Sequence, residues 1–219
     1  PKDLGNKIRE ILLKKCKDFD SIEVAGPGFL NIRLKNYAIQ EIIKEIYKNK
    51  DVYGSKKGNK KYNIEFVSAN PTGPMHIGHC RGAIFGDVLS NLLKFNGNSV
   101  TKEYYVNDYG NQIKNFVKSV FLRLREIKYK EKFQSEKDLY PGDYIIDIAH
   151  KILRKNPDIN LENFEKSYDL LEKESLKCSM DLVKLDLKNL GIKHDNFASE
   201  TEVIKNKEVD EVIKNLKEK

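Results

Sequence analysis

The sequence predicts an α/β protein in two parts, a small α+β unit followed by a larger unit built on a parallel βαβ crossover. Three observations predict it. First, the β-prone run "YNIEFV" (residues 62–67) is followed by a loop rich in proline and glycine, an apolar pattern at helical spacing, and a second β-prone run, "SVTKEYYV" (99–106). Strand, loop, helix, strand is the unit from which parallel sheets are built, with ligands at the carboxyl ends of the strands. Second, the periodicity beyond Gly110 is helical over most of the remaining chain. Third, "YGSKKGNKK" (53–61) holds glycines and lysines but no aliphatic residue, a linker composition. It sets the expected domains at 1–55 and 56–219.

Each element follows from its own pattern. Within residues 4–17, Leu4, Ile8, Ile11 and Leu12 share one helical face. "SIEVAGPGFLNIRL" (21–34) reads as two strands around a Gly-Pro-Gly turn. Ile39, Ile42, Ile43 and Ile46 mark a second helix, and the unit ends near Asp51. In the second unit, Ile77, Ile84, Val88, Leu89 and Leu92 form the stripe of the crossover helix, which Gly97 suits as a stop. Ile113, Phe116, Val117, Val120, Phe121 and Leu124 give the next helix a wide apolar face. "PGDYIIDIAHKIL" opens a helix at Pro141, a residue allowed in a first turn. Residues 161–190 form a long charged helix that stops at Gly191; "IKHDNFASET" is extended, and "KEVDEVIKNLKEK" is a final helix. The expected topology is therefore one βαβ unit plus helices.

Composition narrows the function. A 39% hydrophobic share over 219 residues supports a globular core. No apolar run approaches the roughly 20 residues that cross a bilayer, so no membrane partner is expected. Cys16, Cys80 and Cys178 are odd in number, far apart and without a CxxC pair. That excludes a disulfide framework and a thiolate zinc site, and points to a reducing, cytoplasmic setting. The net charge of +7 fits a polyanionic partner such as nucleic acid and equally fits a lysine-rich proteome. The chain opens on Pro1 with no signal-like apolar block, as expected of a piece of a longer protein.

The chemistry concentrates in "FVSANPTGPMHIGHCRG" (66–82). A loop that leaves a parallel strand and enters a helix directs free backbone N–H groups, and the positive end of the helix dipole, at one point. Gly73 and Gly78 permit close approach, and Pro71 and Pro74 stiffen the loop. His76 and His79, three residues apart, project from one side of the first turn. Such an arrangement can stabilise charge on a transferring phosphoryl group. A metal site of His76, His79 and Cys80 would need a fourth ligand from elsewhere, and Cys80 points away from the histidines on a helix; no structural metal is expected. His150 and His194 read as surface or capping residues. Asp108 could cap the helix that follows it.

"HIGH" after "SANPTGPM" resembles the signature of class I aminoacyl-tRNA synthetases. The longer string "IEFVSANPTGPMHIGHCRGAIFGD" with "YYVNDYGNQI" is similar to the arginyl family in particular, and "AGPGFLNIRL" resembles the end of that family's N-terminal tRNA-contacting domain. The resemblance implies a Rossmann-like class I synthetase catalytic domain, its first half with a helical insertion, preceded by a small α+β module. It implies an arginine–tRNA ligase that uses ATP with Mg²⁺, and L-arginine and tRNA(Arg) as partners. Carried onto this sequence, it gives His76 and His79 as catalytic. Pro74, His76, Gly78 and His79 would bind ATP. Glu65, Ser68, Asn70 and His79 would hold arginine, with Glu65 meeting either the guanidinium or the α-amino group. Asp108, Gly110 and Gln112 are further pocket candidates. The family's KMSKS-like motif does not occur in this sequence, so the chain is expected to be an N-terminal fragment that is inactive alone. Two other readings stand beside this one: an HxGH nucleotidylyl transferase, which leaves "AGPGF" and the helical tail unexplained, and a non-catalytic fragment that binds tRNA.

Overall fold

The computed structural model describes residues 1–134 and 137–218. The chain forms two compact units, Pro1–Lys56 and Lys57–Lys219. In the first, α1 (Lys2–Lys15) precedes a hairpin of β1 (Phe19–Ala25) and β2 (Phe29–Leu34), and α2 (Asn36–Asn49) follows. The strands pair antiparallel from Ala25↔Phe29 outward. Gly26 and Gly28 make the turn at φ +54° and +131°, values that L side chains adopt only with strain. The apolar face expected on α1 is mostly outward, since Leu4, Ile8 and Ile11 are exposed. Gly5 meets the sheet instead, and a Cβ there would lie 3.1 Å from Val24. The small residue sets the approach of helix to hairpin.

The second unit carries β3 (Lys61–Glu65), α3 (Ile77–Phe95), β4 (Ser99–Val106), α4 (Asn111–Tyr129), α5 (Asp143–Lys155), α6 (Phe164–Asn189), β5 (Asn196–Ser199), α7 (Glu200–Lys205) and α8 (Glu208–Lys217). The sheet order is β3-β4-β5, with both pairings parallel. The single βαβ unit expected from sequence is therefore corrected to two successive crossovers, the second running through α4–α6. β5 was hidden because only four residues pair, too few for an alternation to register. The extended reading of "IKHDNFASET" holds for that strand, but Glu200 already begins α7, capped by Ser199 Oγ on the Glu202 N–H at 3.2 Å. The final helix expected from Lys207 is α8, which starts at Glu208, with Lys207 at φ +61° as its N-cap. α5 starts at Asp143 rather than Pro141.

Two apolar cores share one girder. α4, α5 and the first part of α6 bury Phe116, Val120, Leu124, Ile145, Ile152 and Leu171 among themselves. Further along α6, Val183 and Leu187 join Phe66, Tyr104 and Val106 under the sheet. β4 alternates as a half-buried strand, with Val100, Lys102, Tyr104 and Val106 inward. Lys102 is buried because its ammonium is held by Asp87 Oδ1 at 2.6 Å and Asn91 Oδ1 at 2.8 Å, both on α3.

The stripe expected to bury α3 is on the other side. Ile77, Ile84, Val88, Leu89 and Leu92 are exposed, whereas Ala83, Gly86 and Ser90 are buried. The reason is distance: a Cβ on Gly86 would sit 2.1 Å from the Phe66 ring. Only small residues let this helix backbone lie on the sheet. Among the described residues, no helix is long and apolar enough to cross a membrane.

Candidate active site

The segment between β3 and α3 gathers most of the residues singled out in the sequence. It leaves β3 with Val67 at φ +64° and Ser68 at φ +38°. Consecutive positive φ values on non-glycine residues, one of them β-branched, are costly and persist only where surrounding contacts impose them. Those contacts are present. Ser68 Oγ accepts the Tyr105 N–H at 3.0 Å and donates to Glu65. The buried Tyr104 hydroxyl donates to the Ala69 carbonyl at 2.7 Å. Glu65 and Ser68 are thus joined at the carboxyl end of β3. Asn70 stands next to them, donating to Gln112 Oε1 at 2.9 Å and accepting from Asn107 Nδ2 at 3.2 Å.

At the start of α3, His76 is the N-cap. Its Nδ1 accepts the Gly78 N–H at 3.1 Å, and the His79 Nδ1 accepts the His76 N–H at 3.3 Å. This reciprocal capping box uses two imidazoles where Ser and Glu more often serve. The rings stack with centroids 3.6 Å apart. Both Nδ1 atoms are acceptors, so each neutral ring carries its proton on Nε2. Burial, and then repulsion from His76, push the His79 pKa below the usual imidazole value. With both Nδ1 atoms accepting, each imidazole is left with Nε2 as its donor at the helix start. Gly78 is close under His76, since a Cβ there would meet the ring at 2.9 Å.

A cavity of ≈ 420 Å³ opens beside these rings, lined by Asn70, Thr72, Gly73, Pro74, His76, His79, Tyr140 and Tyr144. A wider groove of ≈ 660 Å³ lies in the first unit against Asp18, Tyr37, Glu41 and Lys48. Its lining holds no histidine or cysteine.

Some candidates are placed otherwise. Asp108 does not cap α4, whose N-cap is Gly110 without a side-chain bond. Its carboxylate instead accepts from Ser199 Oγ at 2.6 Å and the Thr201 N–H at 2.9 Å, fastening the ends of β4 and β5. His150 is exposed. His194 is not a surface residue: it is buried, 4.3 Å from the Phe66 ring and edge-on to Tyr104. Cys80 adjoins the site as a free thiol. Among the described residues, no group of three His, Cys, Asp or Glu side chains converges as a metal site.

Sequence reasoning missed Tyr104, Asn107, Tyr144 and Asp186. Tyr104 had a signal, as an inward position of an alternating strand with a polar tip to satisfy. Tyr144 and Asp186 had none, because they reach the loop from helices far along the chain.

A parallel sheet whose first crossover enters its helix through paired imidazoles has the architecture of a class I synthetase catalytic domain. Residues 42–219 match the family model for tRNA synthetases class I (R), catalytic domain, and residues 1–34 match the arginyl tRNA synthetase N-terminal domain; the chain belongs to the arginyl family of class I tRNA synthetases. It is 51% identical over its whole length to an arginine–tRNA ligase of Pelagibacter ubique and 43% identical over 99% of its length to one of Rickettsia bellii. It spans 38% of the length of each of these relatives. A crystal structure of an arginyl-tRNA synthetase from Campylobacter jejuni superposes with a TM-score of 0.76 at 32% identity, covering 84% of this chain and 40% of that one.

Proposed function

We propose that the complete protein carrying this chain is an arginine–tRNA ligase, and that this chain provides the first half of its ATP and arginine site. The observation that carries the proposal is the pair of stacked imidazoles at the start of α3, facing the same cavity as Asn70 at the strand ends. The arginine carboxylate attacks the α-phosphorus of ATP; a P–O bond forms, the bond to pyrophosphate breaks, and pyrophosphate leaves with its electrons. The Nε2–H groups of His76 and His79 stabilise the negative charge that builds on the phosphoryl oxygens, as preorganised donors do. Pro74 and Gly78 keep the loop stiff and open for the nucleotide. Glu65, oriented by Ser68, supplies the carboxylate that a cationic substrate requires. Asn70, held by Asn107 and Gln112, orients the amino acid. A hydroxyl of the terminal ribose of tRNA(Arg) then attacks the activated carbonyl, and AMP leaves.

Mg²⁺ accompanies ATP on its phosphates, where it neutralises charge. The first unit contacts tRNA, and its lysine-rich connection to the second contributes to that contact. The enzyme works in the cytoplasm. The test is pyrophosphate exchange and aminoacylation by the complete protein with each amino acid in turn, tRNA present. Arginine dependence is the expected result; preference for another amino acid overturns the assignment, and amino-acid-independent nucleotide transfer would favour the nucleotidylyl transferase reading.

A further inference from the structure

We infer that Asp186 and Tyr144, on the helices of the second crossover, are positioning residues that set the two imidazoles of the proposed ATP site. The inference rests on the reading of that site given above. Three side chains, from three elements, hold backbone groups of the loop from Ala69 to His76. Tyr104 on β4 donates to the Ala69 carbonyl at 2.7 Å. Tyr144 on α5 donates to the Thr72 carbonyl at 2.9 Å. Asp186 on α6 accepts the Met75 N–H at 3.0 Å. The last two bracket Gly73 and Pro74.

The bracket is tight. A Cβ on Gly73 would stand 3.0 to 3.1 Å from the Tyr144 ring, so the ring lies directly on the backbone at that residue. Burial raises the Tyr144 pKa to about 12, which keeps its hydroxyl a donor at neutral pH. The ring also lines the cavity that His76 and His79 face. The Asp186 bond fixes the Pro74–Met75 peptide, one residue ahead of His76. From there the geometry has little freedom: the His76 N–H reaches His79 Nδ1, and the His76 Nδ1 holds the Gly78 N–H. Moving the Met75 amide shifts both bonds, and with them the direction of both Nε2–H groups.

The same link explains an otherwise odd choice of residue. Asp186 lies between Leu185 and Leu187, on the part of α6 that packs under the sheet through Val183 and Leu187. A carboxylate there is half-buried and needs a donor; the Met75 N–H is that donor. α6 also belongs to the helical core through Leu171. The helical crossover therefore forms part of the mould of the loop as well as a connection between strands.

The experiment compares Asp186→Ala, Asp186→Asn and Tyr144→Phe in the complete protein. Two quantities are read: hydrogen–deuterium exchange of the peptide spanning 72–79, and kcat and KM for ATP in arginine-dependent pyrophosphate exchange. Asp186→Ala should speed amide exchange at Met75 at least tenfold and lower kcat by roughly 10- to 100-fold, the cost of misplacing donors by about an ångström. KM for ATP should change less than about threefold, because the lost interaction is one the transition state uses. Asp186→Asn keeps an oxygen acceptor and should restore most of both. Tyr144→Phe should give a smaller fall in kcat, and it decides the matter if Asp186→Ala does not fold. Unchanged protection at Met75, or a rise in KM with kcat intact, overturns the inference. Equal damage from Asp186→Asn and Asp186→Ala overturns it too. Hydrogen exchange reads the fastening whichever amino acid is activated, so a failed arginine assignment is distinguishable from a failed bracket.

Discussion

At the scale of single residues, the two imidazoles matter most. His76 and His79 spend their Nδ1 lone pairs on the helix start, which leaves Nε2–H as the donor each has to offer the proposed ATP site. Removing one preorganised donor typically costs 10²–10³ in rate, so His79→Ala in the complete protein should lower kcat by roughly that factor and move KM less. A large KM change with unaltered kcat would refute the assigned role. The same bonds give a pH dependence. The folded pKa of His79 is lowered, so the neutral ring's contribution is complete above the unfolded value of about 6.5 and is lost as pH falls through the folded value. Protonation at Nδ1 would also break the bond from the His76 N–H. Pyrophosphate exchange should therefore decline on the acid side below about pH 6.5, and His79→Ala should remove that limb. That the two rings share a side of the first turn was legible in the sequence, because they stand three residues apart at a strand-to-helix loop. The tautomers were not, since they depend on hydrogen bonds that exist only once the cap has closed.

At the scale of elements, α3 is held to β4 by one buried pair. Lys102 Nζ contacts Asp87 at 2.6 Å, with the two side chains 9% and 16% exposed. Breaking a buried pair by deleting one partner leaves an uncompensated charge and costs about 3–5 kcal/mol. Asp87→Ala should destabilise by about that amount in urea unfolding, and adding Lys102→Met should recover most of it. If the double variant is as unstable as the single one, the pair is not what holds the helix. His194 offers a contrasting case. It fills an aromatic cage of Phe66, Tyr104 and Phe197, and neither ring nitrogen makes a hydrogen bond of good geometry, the Phe66 backbone being only a weak polar contact. Burial lowers its pKa, with the Phe66 backbone pulling the other way. Phenylalanine keeps the shape and removes the unsatisfied groups, so His194→Phe should gain about 1 kcal/mol at pH 7. It should also reduce the loss of stability below about pH 6.5. A loss at pH 7 would mean that the imidazole is needed for a polar contact.

At the scale of the whole molecule, the proposed site would need cationic donors beyond the two imidazoles of this chain. No KMSKS-like string occurs in its sequence, and its parallel sheet has three strands among the described residues. Adenylate chemistry is mostly positioning and electrostatics, so the 219-residue chain alone should show no arginine-dependent pyrophosphate exchange even with tRNA added. Exchange by the purified chain that disappears in the His79→Ala variant would overturn this expectation. The exposed apolar stripe of α3, from Ile77 to Leu92, shows why the helix was readable and its orientation was not. Periodicity reports that a face exists; which face meets the sheet is decided by how closely the backbones approach.

The sequence by itself determined the α/β class and the place of the loop that carries His76, His79, Glu65, Ser68 and Asn70. Those features rest on local rules of periodicity, turn residues and spacing, and on motif strings contained within a few dozen residues. Tertiary structure alone decided that β5 joins the sheet and that Asp108 serves Ser199 and Thr201. It alone buried His194 and brought Tyr144 and Asp186 to the loop, across 72 and 111 residues of chain. Each of those contacts satisfies a polar group or fills a space that exists only after distant helices have packed, and no local pattern encodes a partner that far away.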